Sequence, residues 1–286
     1  MYNLRYHIAS LVAVFLALSV GLILGTVVAE RGMITDQTSS LVADLEARFD
    51  EIQASNDALQ VGLDRDRSFA EAAAVPLTAG QLAGKNVAVF VGADRIDGAA
   101  AVSEVIAGAG GTSYVVALQQ PALGLDIEEP AGLAGYFQLH GIEMAEPGDA
   151  LVRQVADALV TEWRSGAAQP LTELLVGERL LGIESTSGTA TVDAVVIVGT
   201  GEAGCDAFAL AVARSMSAAG GTAAGAESTP VAEGVAAACV SEGLPAVDHL
   251  HTPQGKVSLV WILAGRARGY YGSGTGAEAF FPPLSP

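Results

Sequence analysis

Positive charge, cysteine, histidine and aromatic rings are all scarce in this sequence. Fourteen Lys and Arg stand against 32 Asp and Glu, a formal net charge of -18, and Phe, Trp and Tyr make up 6% of the chain. A surface of that sign repels polyphosphate backbones, which argues against nucleic acid as a partner. The two cysteines, Cys205 and Cys239, are far apart and form no CxxC pair. They could close one disulfide in an oxidising compartment or stay as two buried thiols, and the sequence does not fix the distance that decides it. With four His and four Met there is no Met-rich or Cys-rich cluster of the kind Cu(I) prefers. GxSxG, HExxH and a Cys–His pair in a recognisable context are also missing, so hydrolytic catalysis has no signature and no enzyme is expected.

Apolar residues are plentiful, and one block of them is uninterrupted. From Ala9 to Ala29 no residue is charged. At about 1.5 Å per residue such a helix covers a hydrocarbon core about 30 Å thick. Arg5, His7 and the amino terminus precede it; beyond it Arg31 is offset by Glu30 and Asp36. The positive-inside rule then places residues 1–8 in the cytoplasm of a plasma-membrane protein and the rest outside. A cleaved signal peptide is the alternative, with Val27 and Ala29 as small residues at the cleavage positions. The run is longer than the roughly 7–15 residues of a signal h-region, which favours an uncleaved anchor over 9–29. Within it Ala17, Gly21 and Gly25 recur every fourth residue, a stripe that lets two helix backbones approach.

Residues 30–75 read as a helical stalk. Leu41, Leu45, Phe49, Ile52, Leu59 and Leu63 recur at three, four or seven, while Arg48, Ser55, Asn56 and Gly62 make the seam imperfect. A short parallel coiled coil, a docking face for another helix, or a helix lying on its own domain all fit. The expected partners are therefore a second copy or a helical membrane or envelope protein.

After Pro76 short β-rich runs alternate with Ala-rich helical runs, the pattern of an α/β domain on a mostly parallel sheet, Rossmann- or flavodoxin-like, over 76–270. Strands are expected at 86–91, 112–118, 192–198 and near 221–226. Helices are expected near 98–107, at 149–164, at about 203–219, and after Pro230 with Ser228 or Thr229 as cap. The segment 119–147 reads as irregular because Pro121, Pro130 and Pro147 interrupt it. Lys256–Ala264 is buried as helix or strand, and 271–286 is a Gly- and Pro-rich tail.

Two constellations carry chemical potential. Gly199, Gly201 and Gly204 match GxGxxG between a strand and a helix, with Glu227 at a distance suited to a ribose contact. Glycines there admit a pyrophosphate to a helix N-terminus, although Glu202 puts a negative charge in the loop. A tight strand-to-helix turn explains the same residues. For metal, His249 and His251 would share one face of a strand, with Asp248 beside them, and His140 and Met144 would align on a helix. Cap or surface histidines explain both pairs as well.

The N-terminus, His7, Ser10 to Leu18, Gly21, Leu24 and Gly25, follows the pattern H-x-x-S-L-x-A-V-F-L-A-L-x-x-G-x-x-L-G and resembles the actinobacterial copper transporter family. Ala246-Val247-Asp248, Gly255 to Val257 and Tyr271-Gly272 are similar too, so the resemblance covers the layout of the chain. It implies a one-span envelope protein linked to copper export or resistance, with copper as the metal handled. A related corynebacterial member implies instead a role in cell separation, with a membrane partner that controls peptidoglycan hydrolases. Neither implication assigns a ligand residue.

Overall fold

The computed structural model describes residues 4–92, 96–127, 130, 132–166, 168–185, 191–199 and 204–283. Packing divides the chain into two compact units, Met1–Asp66 and Arg67–Pro286. The first unit is the long part of helix α1 (Leu4–Thr78), whose segment Leu4–Val28 is long and apolar enough to cross a membrane. The last turns of α1, which contain Pro76, belong to the second unit.

The second unit is built on a seven-stranded sheet. Its strands are β1 (Asn86–Gly92), β2 (Thr112–Leu118), β3 (Leu181–Ser185), β4 (Ala194–Val198), β5 (Thr222–Ala226), β6 (Ala246–Val247) and β7 (Tyr270–Tyr271). Their order is β3-β2-β1-β4-β5-β6-β7; β3 is antiparallel to β2 and every other pairing is parallel. Alternation along the central strands feeds two cores. Val87, Val89 and Val91 of β1 join Ala194, Val196 and Val198 of β4 on one face, while Ala88 and Phe90 join Val195 and Ile197 on the other. A strand buried on both faces has no polar side, which is why these runs read as continuously apolar.

The first face is covered by α2 (Ile96–Gly108) and α8 (Pro253–Leu263), with Ala74 and Leu77 from the end of α1. Leu77 is tied in by its carbonyl, which accepts from Nε1 of Trp261 at 3.0 Å. Five helices lie on the other face: α3 (Leu133–Leu139), α4 (Asp149–Ser165), α5 (Pro170–Gly177), α6 (Ala207–Ala218) and α7 (Val235–Ser241). Helix α8 settles the ambiguity at 256–264. Every residue from Val257 to Leu263 is buried, so neither a helical nor a strand period shows in its sequence.

Three expectations need correction. The stretch 119–147 is not irregular throughout: its prolines flank α3 and a 3-10 turn at Pro121–Gly124 rather than interrupt them. Helix α7 starts at Val235, well past Ser228 and Thr229, and its N-cap residue is Gly234. The tail begins later than 271, because Tyr270 and Tyr271 add the last strand to the sheet.

Candidate functional site at the carboxyl edge of the sheet

The parallel strands β4, β5, β6 and β7 all end on the same edge, and there the residues that follow them converge: Gly199, Glu227, Asp248 with His249, and Gly272. In open α/β sheets this edge is where ligands usually bind. Here it is packed with buried polar side chains. Glu227 is 2% exposed, Asp248 0% and His249 2%.

Glu227 lies across the first glycine of the GxGxxG turn. A Cβ at Gly199 would overlap its Cγ, and one at Gly234 would overlap its Oε1. Oε1 accepts from the amide of Ala236 at 3.0 Å, so Glu227 caps α7, whose own N-cap residue has no side chain to do so. Oε2 is buried without a partner among the described residues. Burial pushes the Glu227 carboxyl above its usual range and the charge of Asp248 adds to this, against the amides at the start of α7. Gly201 lies outside the described residues. The amide of Gly204 donates to the carbonyl of Glu233 at 2.7 Å. The Glu227 side chain thus lies directly against the first glycine of the turn.

Asp248 closes the far side of the edge. Its Oδ2 accepts from the Tyr270 hydroxyl at 2.5 Å and the Gly274 amide at 2.6 Å, and its Oδ1 from the Ser273 amide at 3.0 Å. The loop after β7 wraps so tightly round the carboxylate that a Cβ at Gly272 would overlap it, and Gly272 adopts φ +154°. Burial, then the bond to Asp248, raises the Tyr270 hydroxyl well above the ordinary phenol range.

His249 does not share a strand face with His251, since β6 stops at Val247. The His249 ring packs on Phe280 at 4.4 Å between centroids. Its Nδ1 stands 3.4 Å from Oδ1 of Asp248, close enough for an ion pair, and among the described residues neither ring nitrogen has a partner in good hydrogen-bond geometry. Burial holds His249 below its ordinary pKa, with Asp248 opposing. Exposed His251 turns its Nδ1 to the carbonyl of Ser228. His140 and Met144 do not align on a helix either, because α3 ends at Leu139. His140 stacks on Tyr136 at 4.3 Å. Among the described residues, no group of three or more His, Cys, Asp or Glu side chains is placed to hold a metal ion.

Both cysteines are free thiols. Burial, then Asp206 and Glu227, pushes the Cys205 thiol up to about 12, and burial raises Cys239 further. Neither is a ready thiolate. Sequence reasoning missed a third buried acid. Glu162 of α4 accepts from the amides of Leu171 at 2.7 Å and Thr172 at 2.9 Å and from the Thr172 hydroxyl at 2.6 Å, which caps α5. On the opposite, amino edge of the sheet a cleft of about 460 Å³ is lined by glycines together with Arg268, Tyr270 and Glu278.

These features define a class: an N-terminal apolar helix followed by an α/β domain with a mostly parallel sheet whose carboxyl edge is closed by its own side chains. A family profile described as "Copper transport outer membrane protein, MctB" matches residues 1–282, and the chain belongs to that family. Curated relatives named "Copper transporter MctB", from Mycobacterium bovis and from two strains of Mycobacterium tuberculosis, are 34% identical over 116 residues. That match takes in 39% of this chain and 35% of each relative, about a third of the relatives' length. No solved structure matches.

Proposed function

We propose that this chain is a membrane-anchored envelope protein that takes part in copper handling without itself forming the path for the ion. Family membership over residues 1–282 is the observation that carries the copper half of the reading. The other half rests on physical limits: a lone apolar helix encloses no pore, and the described donors do not gather round one point. Leu4–Val28 would sit in the plasma membrane, since spans of the bacterial outer membrane are barrels of strands. Arg5 would keep the N-terminus in the cytoplasm and the α/β domain outside. The domain is read as non-enzymatic and, at net charge -18, as no ligand for nucleic acid.

The test is a deletion strain complemented with the full chain and scored for growth on copper. Raised sensitivity that the chain restores supports the reading; unchanged sensitivity refutes it. A second reading, an envelope scaffold in cell separation, is favoured by the exposed apolar face of α1 over residues 41–63. Scoring the same strain for septation separates the two. A septation defect with normal copper tolerance selects the scaffold.

A further inference from the structure

We infer that the exposed face of α1 from Val42 to Leu63 pairs with the same face of a second copy of this chain, as a parallel, in-register, two-stranded coiled coil. The inference deepens the membrane-anchored reading and rests on it for one point, that two copies held in one membrane present this face in the same direction.

The register of the apolar residues is that of a coiled coil. Written as heptads, Val42, Phe49, Asn56 and Leu63 fall at the a positions and Leu45, Ile52 and Leu59 at the d positions, with no skipped residue. The six apolar members of this seam are 50% to 69% exposed, although each is a side chain that ordinarily seeks burial. Arg48, Ser55 and Gly62, which look like breaks when the seam is counted from Leu41, move to the flanking g positions. They no longer interrupt it.

The seam has a single polar member. One Asn at an a position lowers stability but specifies two parallel strands in register, because it is satisfied by the same Asn of the partner. Asn56 stands near the middle of the seam.

Charge placement fits the same pairing. Asp44, Asp50, Glu51, Asp57 and Asp64 all fall at the outer b and c positions. In a parallel pair each g residue meets the partner's e residue five places on. The facing pairs are Leu41 with Glu46, Arg48 with Gln53, Ser55 with Gln60, and Gly62 with Arg67. No pair brings like charges together, in a segment where acids are abundant.

Both ends of the seam fit as well. The next d position is Asp66, the last residue of the first compact unit. Beyond it the a and d positions Ala70, Ala73 and Leu77 are half-buried in the second unit, so the same face changes from free to covered at Asp66. Counted backwards, the same repeat places Ala17 and Leu24 at d and Gly21 and Val28 at a. Of the small residues of the apolar segment, Ala17 and Gly21 fall on the seam and Gly25 at the neighbouring e position, with Arg31, Thr35 and Thr38 at the a and d positions in between. A Cβ at Gly21 would meet nothing within 4 Å.

The test is cysteine cross-linking of the full chain in its own membrane. Leu45→Cys and Leu59→Cys sit on the seam, whereas Ala47→Cys and Ala54→Cys sit on the outer face. Under mild oxidation the seam variants are expected to give a disulfide dimer at least several-fold more than the outer variants, with two differently tagged copies recovered together. The chain without added cysteines gives none, and Asn56→Leu is expected to add higher oligomers. Equal yields on both faces, no dimer from the seam, or a seam adduct to a different polypeptide would each overturn the pairing. Copper tolerance scored on the same strains keeps the readings apart. Copper tolerance that is the same with and without the chain, while the seam cross-links form, counts against the copper role alone, and recovery of the chain in the soluble fraction counts against the anchor.

Discussion

Replacing Asp248 with Asn tests whether one carboxylate holds the carboxyl edge of the sheet closed. The change is nearly isosteric, so it alters hydrogen bonding rather than packing. Two oxygens now accept three bonds, from Tyr270, Ser273 and Gly274. Asparagine keeps one acceptor oxygen. If that oxygen stays toward Tyr270 and Gly274, the amide NH2 faces the Ser273 N–H, which loses its acceptor. The part-buried Ser273 amide left without its acceptor costs about 1–2 kcal/mol, and two charge-assisted bonds weakened to neutral ones cost roughly another 1 kcal/mol each. Relief from burying a charge returns part of this, which leaves about 3 kcal/mol. For a unit of this size that lowers Tm by about 6–12 °C. Both tryptophans, Trp163 and Trp261, are buried in the α/β unit, so intrinsic fluorescence of the full chain in detergent follows its unfolding. Tyr270→Phe removes one of the three bonds and is expected to cost about 1–2 kcal/mol. An Asp248→Asn protein that melts within about 2 °C of the parent would show that the loop after β7 is held by something else.

Further outcomes follow from the other buried polar groups. Glu162→Ala leaves the Leu171 and Thr172 amides of α5 without an acceptor and is expected to cost about 3–5 kcal/mol in urea unfolding, with Glu162→Gln intermediate. Asp206 caps α6 through Phe208 and Ala209 and also receives the amide of Ala122, whose φ of 48° is unusual for a residue with a side chain. Asp206→Ala should cost about 2–3 kcal/mol and expose the 121–124 turn to proteolysis before the domain melts. His249 is held neutral by burial, so the unfolded chain takes up a proton near the ordinary pKa of 6.5 and the folded chain does not. Its contribution is complete above that pH and is lost as pH falls toward the lowered folded value, by up to about 1.4 kcal/mol per pH unit. Glu227, raised when folded, acts in the opposite sense over the acid range, since its stabilisation fades as pH rises through its folded pKa. His249→Gln should therefore flatten the acid limb of a Tm-against-pH curve, and Glu227→Gln should steepen it.

The parts of this fold that were legible are those where a local pattern decides. Strand β2 matches the expected 112–118 residue for residue and β1 extends the expected run by one, because five- to seven-residue apolar runs between glycines have few alternatives. Strands β6 and β7 have two residues each, too few to carry a period. They pair because Asp248 gathers the loop after them, a contact across more than twenty residues. Strand β3 and helix α5 escaped for a related reason, since the cap that starts α5 is Glu162, back in α4. The candidate site divides in the same way. The GxGxxG pattern marks a real strand-to-turn junction after β4, but what fills it is set by β5 lying next to β4 and delivering Glu227 onto Gly199. The i, i+2 spacing of His249 and His251 implies a shared face only on a strand, and the strand had already ended.

What the acids do inside this domain bears on what it does outside. Glu162, Glu227 and Asp206 each meet the free amides at a helix start, and Asp248 meets those of a loop. Three helix starts and one loop are thereby held in place. Each such carboxylate has at least one oxygen engaged with backbone, while Oε2 of Glu227 has no partner among the described residues. The apolar surface left unanswered lies along α1, where six large side chains of one heptad seam stand open to solvent. A domain whose buried carboxylates are engaged with backbone, joined to a helix whose apolar seam stands open, fits the proposed pairing of that helix. That makes the pairing of α1, more than chemistry at the sheet edge, the property on which its role in the envelope would turn.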